Sequence, residues 1–328
     1  MKGIHKIAPA FGVVLSFAMG ATLADAREFS FAHGNSATSY VHLAALEFKK
    51  YVEEQSDGEM IINIFPGGEL GQNDEMVKGV RLGSIDFHAT GNPWMTGFNP
   101  VQNVLDIPFL FKDADHAYRV LDGEIGQTLL ATLEEHGLKG LGFWEIGFRN
   151  LINARGPIGS VGDLSGLKLR TTANPAHIMA FELLGANPQP MPFGEVYLAL
   201  QTGVVDGTEH PVEEIYAMKF HEVAKYLTLT RHAYTAMVTM ANLAMWEGLS
   251  PEQQQIVLDG MALATKFQRD GLAAATAEKL QALKDEGVEV IEDVDVDAFN
   301  ATVYEQVKAA YEAEHGTELT DAIVAIRD

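Results

Sequence analysis

An α/β protein made of two compact units is what this sequence predicts, and three observations predict it. Strand-like and helix-like apolar patterns alternate from residue 28 onward, the signature of sheets layered with helices. The 328 residues divide into about two domains at roughly 150 residues each, enough for each to bury its own core. Apolar side chains make up 47% of the chain and cysteine is absent, so packed cores, not disulfides, must hold the fold, and thiolate metal sites and Cys nucleophiles are excluded.

The elements follow in order. Residues 28–32 (EFSFA) alternate with period two, and 39–54 carry Leu43, Ala44, Phe48, Tyr51 and Val52 at helical spacing. Residues 60–65 are strand-like, 74–82 helical and 84–89 strand-like. Such a β-α-β-α-β series predicts parallel pairing through right-handed crossovers. Helical patterns at 115–121 and 125–136 precede a strand at 140–145. A second α/β series opens after Gly147 with extended residues 150–153, a strand at 167–170, and a helix at 175–184 with Asn174 as cap and Pro175 in its first turn. Helices at 196–201 and 211–218 come next. Ser250-Pro251-Glu252-Gln253 joins a capping box to a first-turn proline and opens a proline-free stretch to about residue 286. With Gly260 and Gly271 inside it, that stretch reads either as one long helix bracing two lobes or as two helices meeting near Gly271.

At the N-terminus, Lys2 and Lys6 precede an uncharged run over 7–23, followed by Ala24-Asp25-Ala26 and Arg27. This is the form of a secretory signal peptide, residues 1–26, with cleavage after Ala26. The run is short for a helix that spans a bilayer. Cleavage removes Lys2, Lys6 and Asp25 and takes the formal charge from −22 to −23. The expected product is soluble and exported. The full chain's 45 acidic against 23 basic residues repel nucleic acid and anionic lipid.

Motifs for chemistry are sparse. Gly140-x-Gly142-x-x-Glu145 lacks the third glycine of a dinucleotide fingerprint. A nucleophile elbow, a phosphate-binding loop and an H-E-x-x-H helix are all missing, and no cofactor is implied. Glu209, His210, Glu213 and Glu214 cluster; they read either as metal ligands on one helical face or as acidic residues offsetting a helix N-terminus. Arg170 ends a strand close to the helix start at Asn174 and Pro175, which makes an anion site or a structural ion pair. Arg149, in Gly147-Phe148-Arg149-Asn150, reads equally as a ligand contact or a surface residue.

Four ordered motifs resolve that ambiguity when read together. They are Gly147-Phe148-Arg149-Asn150-Leu151, the segment DLSGLKLR ending at Arg170, LGANPQPM over 184–191, and FGEVYLALQTGVVDG over 193–207. With FPGGELG at 65–71 and IPFLF at 107–111, the chain resembles the extracytoplasmic solute receptors of TRAP transporters, the DctP-type family, across essentially its whole length after residue 26. That resemblance implies a two-lobe Venus flytrap of the periplasmic binding protein kind. Each lobe is a mixed, mostly parallel sheet flanked by helices, with a long C-terminal bracing helix. It implies discontinuous lobes, 27–148 with 238–277 and 149–237 with 278–328. By the same resemblance Arg170 forks onto a ligand carboxylate, Arg149 is a second ligand-facing arginine, and Phe193 packs on the ligand. A guanidinium fork suits that task better than a lysine point charge.

One position departs from the family pattern: His210 stands where many members carry an asparagine that bonds the ligand. A His210 titrating near its ordinary value predicts an affinity that changes between about pH 5.5 and 7.5; a purely structural His210 predicts a flat profile. From the first lobe, the loops after the first and third strands offer Asn35, Thr90, Asn92 and Trp94, at the strand ends where open α/β sheets bind ligands. Asn174 completes the candidate set. The resemblance implies a small organic acid as ligand (a uronate, aldonate, keto acid, sulfonate or C4-dicarboxylate) and small and large integral membrane subunits as partners of a monomeric periplasmic receptor that performs no catalysis. A ligand-binding sensor, or an enzyme using His210 and Glu209, are the alternatives.

Overall fold

The computed structural model describes residues 26–327. The signal-peptide reading therefore lies, except for Ala26, outside the described residues. The chain forms β1 (Arg27–His33), α1 (Tyr40–Gln55), β2 (Met60–Phe65), α2 (Asn73–Leu82) and β3 (Phe87–Gly91). As the alternation predicts, β1 pairs in parallel with both β2 and β3. Short 3-10 turns at Asn92–Trp94 and Pro100–Asp106 lead into α3 (Ala114–Asp122), α4 (Glu124–Ala131) and β4 (Leu138–Asn153). The second series is β5 (Lys168–Thr171), α5 (Pro175–Leu183), β6 (Asn187–Pro190), α6 (Val196–Gln201), β7 (Gly207–His210), α7 (Val212–Ala217) and α8 (Phe220–Val223). It continues through β8 (Tyr226–Asn242), α9 (Leu243–Glu247), α10 (Pro251–Asp285), β9 (Glu289–Ile291), α11 (Val296–His315) and α12 (Glu318–Ala325).

Among the described residues the strands form one sheet in the order β2-β1-β3-β8-β4-β7-β5-β6, with β9 beside β8. The two long strands carry the connection between its halves. At one end β8 pairs antiparallel with β3, and at the other, over Tyr226–Thr228, it pairs with β9. Its partner β4 runs antiparallel beside it and passes Asn150–Asn153 to β7. The segments at 140–145 and 150–153, read from sequence as separate strands, are thus one strand of 16 residues. Its register slips between Glu145 and Gly147, where Gly147 takes φ 103°, a backbone setting that favours glycine. That bulge erases the period-two pattern across the join.

The long C-terminal segment is one helix. Ser250 accepts from the Gln253 amide, and the reciprocal bond completes the capping box. From there α10 continues for 35 residues, about 50 Å at the α-helical rise, packing on both α1 and α7. Gly271 does not break it. A Cβ there would stand 2.0 Å from Cε1 of Tyr40, so the glycine is what lets α10 lie this close to α1. Each half has its own apolar cluster. Phe29, Phe31, Phe48, Phe87 and Trp144 pack in the first, and Phe193, Val196, Ile215, Phe220 and Leu227 in the second.

Candidate functional site

Three adjacent strands of the second half place the charged groups. In the β4–β7 pairing Asn150 lies opposite His210 and Leu151 opposite Glu209; in the β7–β5 pairing Thr208 lies beside Arg170. Arg149, Glu209, His210 and Arg170 are thereby gathered at the sheet's centre, all buried. With Asn35, Asn73, Gly91, Pro93, Trp94, Ile146, Thr172, Phe193, Glu214 and Thr235, three of them (Arg149, Arg170 and His210) line one cavity. The lining joins both halves: Asn35 and Trp94 follow β1 and β3, whereas Arg170, His210 and Glu214 belong to β5, β7 and α7.

The two arginines are held differently. Arg149 forks onto Glu209, its Nε bonding Oε2 and its Nη2 reaching Oε1 at 2.8 Å, while Nη1 donates to Thr235 Oγ1 at 3.0 Å. That pair explains the ionised state of Glu209: burial opposes its charge, but Arg149 beside it and the bond from His232 hold the carboxyl well below its usual range. Arg170 is completely buried. It gives Nε and Nη2 to the Met191 carbonyl, at 3.2 and 2.8 Å, and Nη1 faces His210 Nε2 at 3.2 Å. No carboxylate is among these partners, and burial lowers its pKa to about 9, which still leaves it a cation at neutral pH. The two buried arginines thus do not share one need for a counter-ion. Glu209 satisfies Arg149, and the unmatched charge is that of Arg170.

His210 sits between them. Its Nδ1 lies 3.5 Å from Arg149 Nη2 and its Nε2 faces Arg170, so a donor approaches each ring nitrogen. Burial, and then the two cations, hold its pKa well below the ordinary value. The neutral imidazole is thereby favoured in the free protein, which argues against the affinity change expected from a freely titrating His210. Phe193 packs its ring 5.3 Å from that of His210. Opposite, Glu214 accepts from Asn35 Nδ2 at 2.9 and 3.2 Å. Burial pushes its carboxyl up to about 7, against the pull of the Asn35 bond and the arginines.

Six of the nine residues singled out from sequence line this cavity: Arg170, Arg149, His210, Phe193, Asn35 and Trp94. The other three lie outside its lining. Thr90 is buried in β3 opposite Val238. Asn92 donates to the Gln102 carbonyl at 2.8 Å and to Asp106 at 2.7 Å. Asn174 caps α5 with its oxygen and gives its nitrogen to the same Asp106 oxygen at 2.8 Å. Glu214, Thr172 and Thr235 were not anticipated. Glu213 and Glu214 do occupy the first turn of α7, as one reading of the acidic cluster held, but Glu214 is buried and faces the cavity.

Asp106 makes a prediction about stability. It is fully buried, and burial pushes its carboxyl up to about 8; Glu213 is raised to about 7 for the same reason. These carboxyls, with Glu214, hold protons in the folded state that they release when unfolded, so the stability they contribute at low pH is lost as pH rises through 7 to 8. The buried histidines, among them His33, His88 and His177, lowered to about 3, 4 and 3, act in the opposite sense, strongly below about pH 6.5, their unfolded value, and fading out by about pH 7.5. Above about pH 7 the carboxyls prevail, so the melting temperature should fall by a few degrees between about pH 7 and 8.5, and Asp106→Asn should flatten most of that fall. A wild-type melting temperature that rises over this range contradicts the assignment.

An α/β sheet in two halves, a pair of long shared strands, a bracing helix and a cationic cavity between the halves define a binding protein of the periplasmic, two-lobed class. Residues 31–314 match the family model described as DctP, bacterial extracellular solute-binding protein family 7, and the chain belongs to that family. It is 41% identical over 300 residues to the 2,3-diketo-L-gulonate-binding periplasmic protein of Escherichia coli, covering 91% of this chain and 92% of that one. With the C4-dicarboxylate-binding periplasmic protein of Rhodobacter capsulatus it shares 36% identity, over 74% of this chain and 73% of the relative. The crystal structure of a TRAP periplasmic solute-binding protein from a Polaromonas species, bound to D-erythronate, superposes with a TM-score of 0.89 at 34% identity. It covers 92% of this chain and 99% of that one. Among the described residues no helix is long and apolar enough to cross a membrane.

Proposed function

We propose that this protein is the periplasmic receptor of a TRAP-type secondary transporter. It captures a polyhydroxy or keto monocarboxylic acid and hands it, without chemical change, to small and large integral membrane subunits. Residues 27–148 with 238–277 form one lobe and 149–237 with 278–328 the other, and closure brings Asn35 and Trp94 onto a ligand held by Arg170. The observation that carries this reading is the fully buried Arg170 guanidinium, which faces the cavity and, among the described residues, has no carboxylate as a hydrogen-bond partner. A buried cation without a partner is costly, and a ligand carboxylate supplies the partner.

The remaining lining favours a sugar acid over a C4-dicarboxylate. Arg149 is already neutralised by Glu209, His210 is neutral, and Glu214 is itself a carboxyl, so the cavity offers one anion pole and several groups suited to hydroxyls. The E. coli relative is named for a keto sugar acid and the Polaromonas structure holds an aldonate, which supports this choice; the Rhodobacter relative is named for the other class. A thermal-shift screen of aldonates, uronates, keto sugar acids, C4-dicarboxylates and sulfonates tests it, because a ligand raises apparent stability by mass action. Stabilisation by sugar acids, without turnover, is expected. A response confined to C4-dicarboxylates or sulfonates overturns the ligand class.

A further inference from the structure

We propose that Glu214 restricts the cavity to acids with a single carboxylate, accepting the distal hydroxyls of the ligand and turning away a second anionic end. This rests on the sugar-acid reading above and names the residue that enforces it. Glu214 is 3% exposed, and both of its oxygens are held by one donor, Asn35 Nδ2, at 2.9 and 3.2 Å. Asn35 follows β1 whereas Glu214 sits in α7, so this contact spans the two halves and fixes the carboxyl between them. A carboxylate held by a single N–H group keeps free lone pairs, and here they belong to a group in the same cavity as Arg170.

The other groups acting on Glu214 are Arg149 on β4, Arg170 on β5 and Glu213 beside it on α7. Arg149 is committed to Glu209, and a ligand carboxylate on Arg170 cancels the second cation. Glu213, itself raised to about 7, adds negative charge as it ionises. Once a ligand is seated, a second carboxylate near Glu214 therefore meets like charge with no cation left to offset it, in a buried setting where charges interact strongly. A hydroxyl there simply donates. When Glu214 is protonated the restriction relaxes, since a carboxylic acid donates to a carboxylate; with its pKa near 7, the selectivity depends on pH in a range that is easily measured.

D-Galactonate and galactarate differ only in the oxidation of carbon six, and calorimetric titration of both at pH 6 and pH 8 reads the effect. In the wild type, the preference for galactonate should grow about tenfold from pH 6 to pH 8, the change that one group titrating near 7 yields over that span. Glu214→Gln, which keeps an acceptor oxygen and removes the charge, should bind galactarate about tenfold more tightly than the wild type at pH 8 and lose most of the pH dependence of the preference, the remainder being that of Glu213. A wild-type preference that does not vary with pH overturns the proposal without any variant, as does an unchanged preference in Glu214→Gln. If the wild type binds neither galactonate nor any other sugar acid of the screen, the sugar-acid reading itself fails, and this inference falls with it.

Discussion

Arg170→Ala is expected to weaken binding of D-galactonate by about two to three orders of magnitude, the range for truncating one partner of a buried, hydrogen-bonded charge pair. The side chain presents a planar fork near the end of a buried strand, and Glu209, on the adjacent strand β7, is taken by Arg149. Removing Arg170 therefore removes the cavity's anion pole, not one of several equivalent donors. Stability should move little, in contrast to binding. The substitution leaves the Met191 carbonyl without its donor, but it also relieves the burial of a cation whose pKa has been driven down to about 9. A melting temperature of the free variant within a few degrees of the wild type, beside lost binding, is the expected combination. Arg170→Lys should rescue only part of the affinity, because an ammonium cannot fork.

Glu209→Gln has the opposite profile. It leaves Arg149 buried without its counter-charge, a change that costs about 3–5 kcal/mol when one partner of a buried ion pair is removed and lowers the melting temperature by roughly 10 °C in a chain of this size. The damage extends to His232, whose Nε2 lies 3.2 Å from the same carboxylate. Thermal unfolding of the free protein checks this. A double variant, Arg149→Met with Glu209→Leu, should recover most of the loss, since an apolar pair of similar volume often replaces a buried ion pair without penalty. A single variant as stable as the wild type would mean that Arg149 is not held by Glu209 and is free to serve a ligand as a second anion pole.

Much of the fold was legible in the sequence because half-buried strands and amphipathic helices carry their periods openly. The β1-α1-β2-α2-β3 series and the caps at Asn174 and Ser250 are local signals, and the structure reproduces them within a few residues. Strands whose pattern is blurred were not legible. β8 is buried along almost its whole length, so it lacks the alternation that marks a strand with one wet face. β6 reads Asn-Pro-Gln-Pro, where two prolines argue against a strand and only an edge position tolerates them. β4 hides its continuity behind glycine bulges.

The site divides along the same line. Arg170, Arg149, His210 and Phe193 were singled out because their motifs occur in the order of a known family; spacing alone left Arg170 open between ligand and ion pair. Glu214 was legible only as an acidic residue in a helix's first turn, since nothing local shows that α7 turns that side toward Asn35, 179 positions away. Asn92 and Asn174 have the polarity of ligand contacts, yet both are spent on Asp106, a residue whose burial only the tertiary structure reveals. The lowered pKa of His210 likewise comes from its burial and from two arginines brought to either side of its ring by strand pairing, and no stretch of sequence contains it.

The role of Arg170 as the anchor for a single carboxylate is tested most directly by a crystal structure of the protein with the sugar acid that stabilises it most in the thermal-shift screen. The predicted result is a ligand carboxylate within hydrogen-bond distance of the Arg170 guanidinium, with hydroxyls reaching Asn35 and Glu214 from the other end. A carboxylate bound away from Arg170, or a ligand reversed so that its anionic end lies against Glu214, would contradict it.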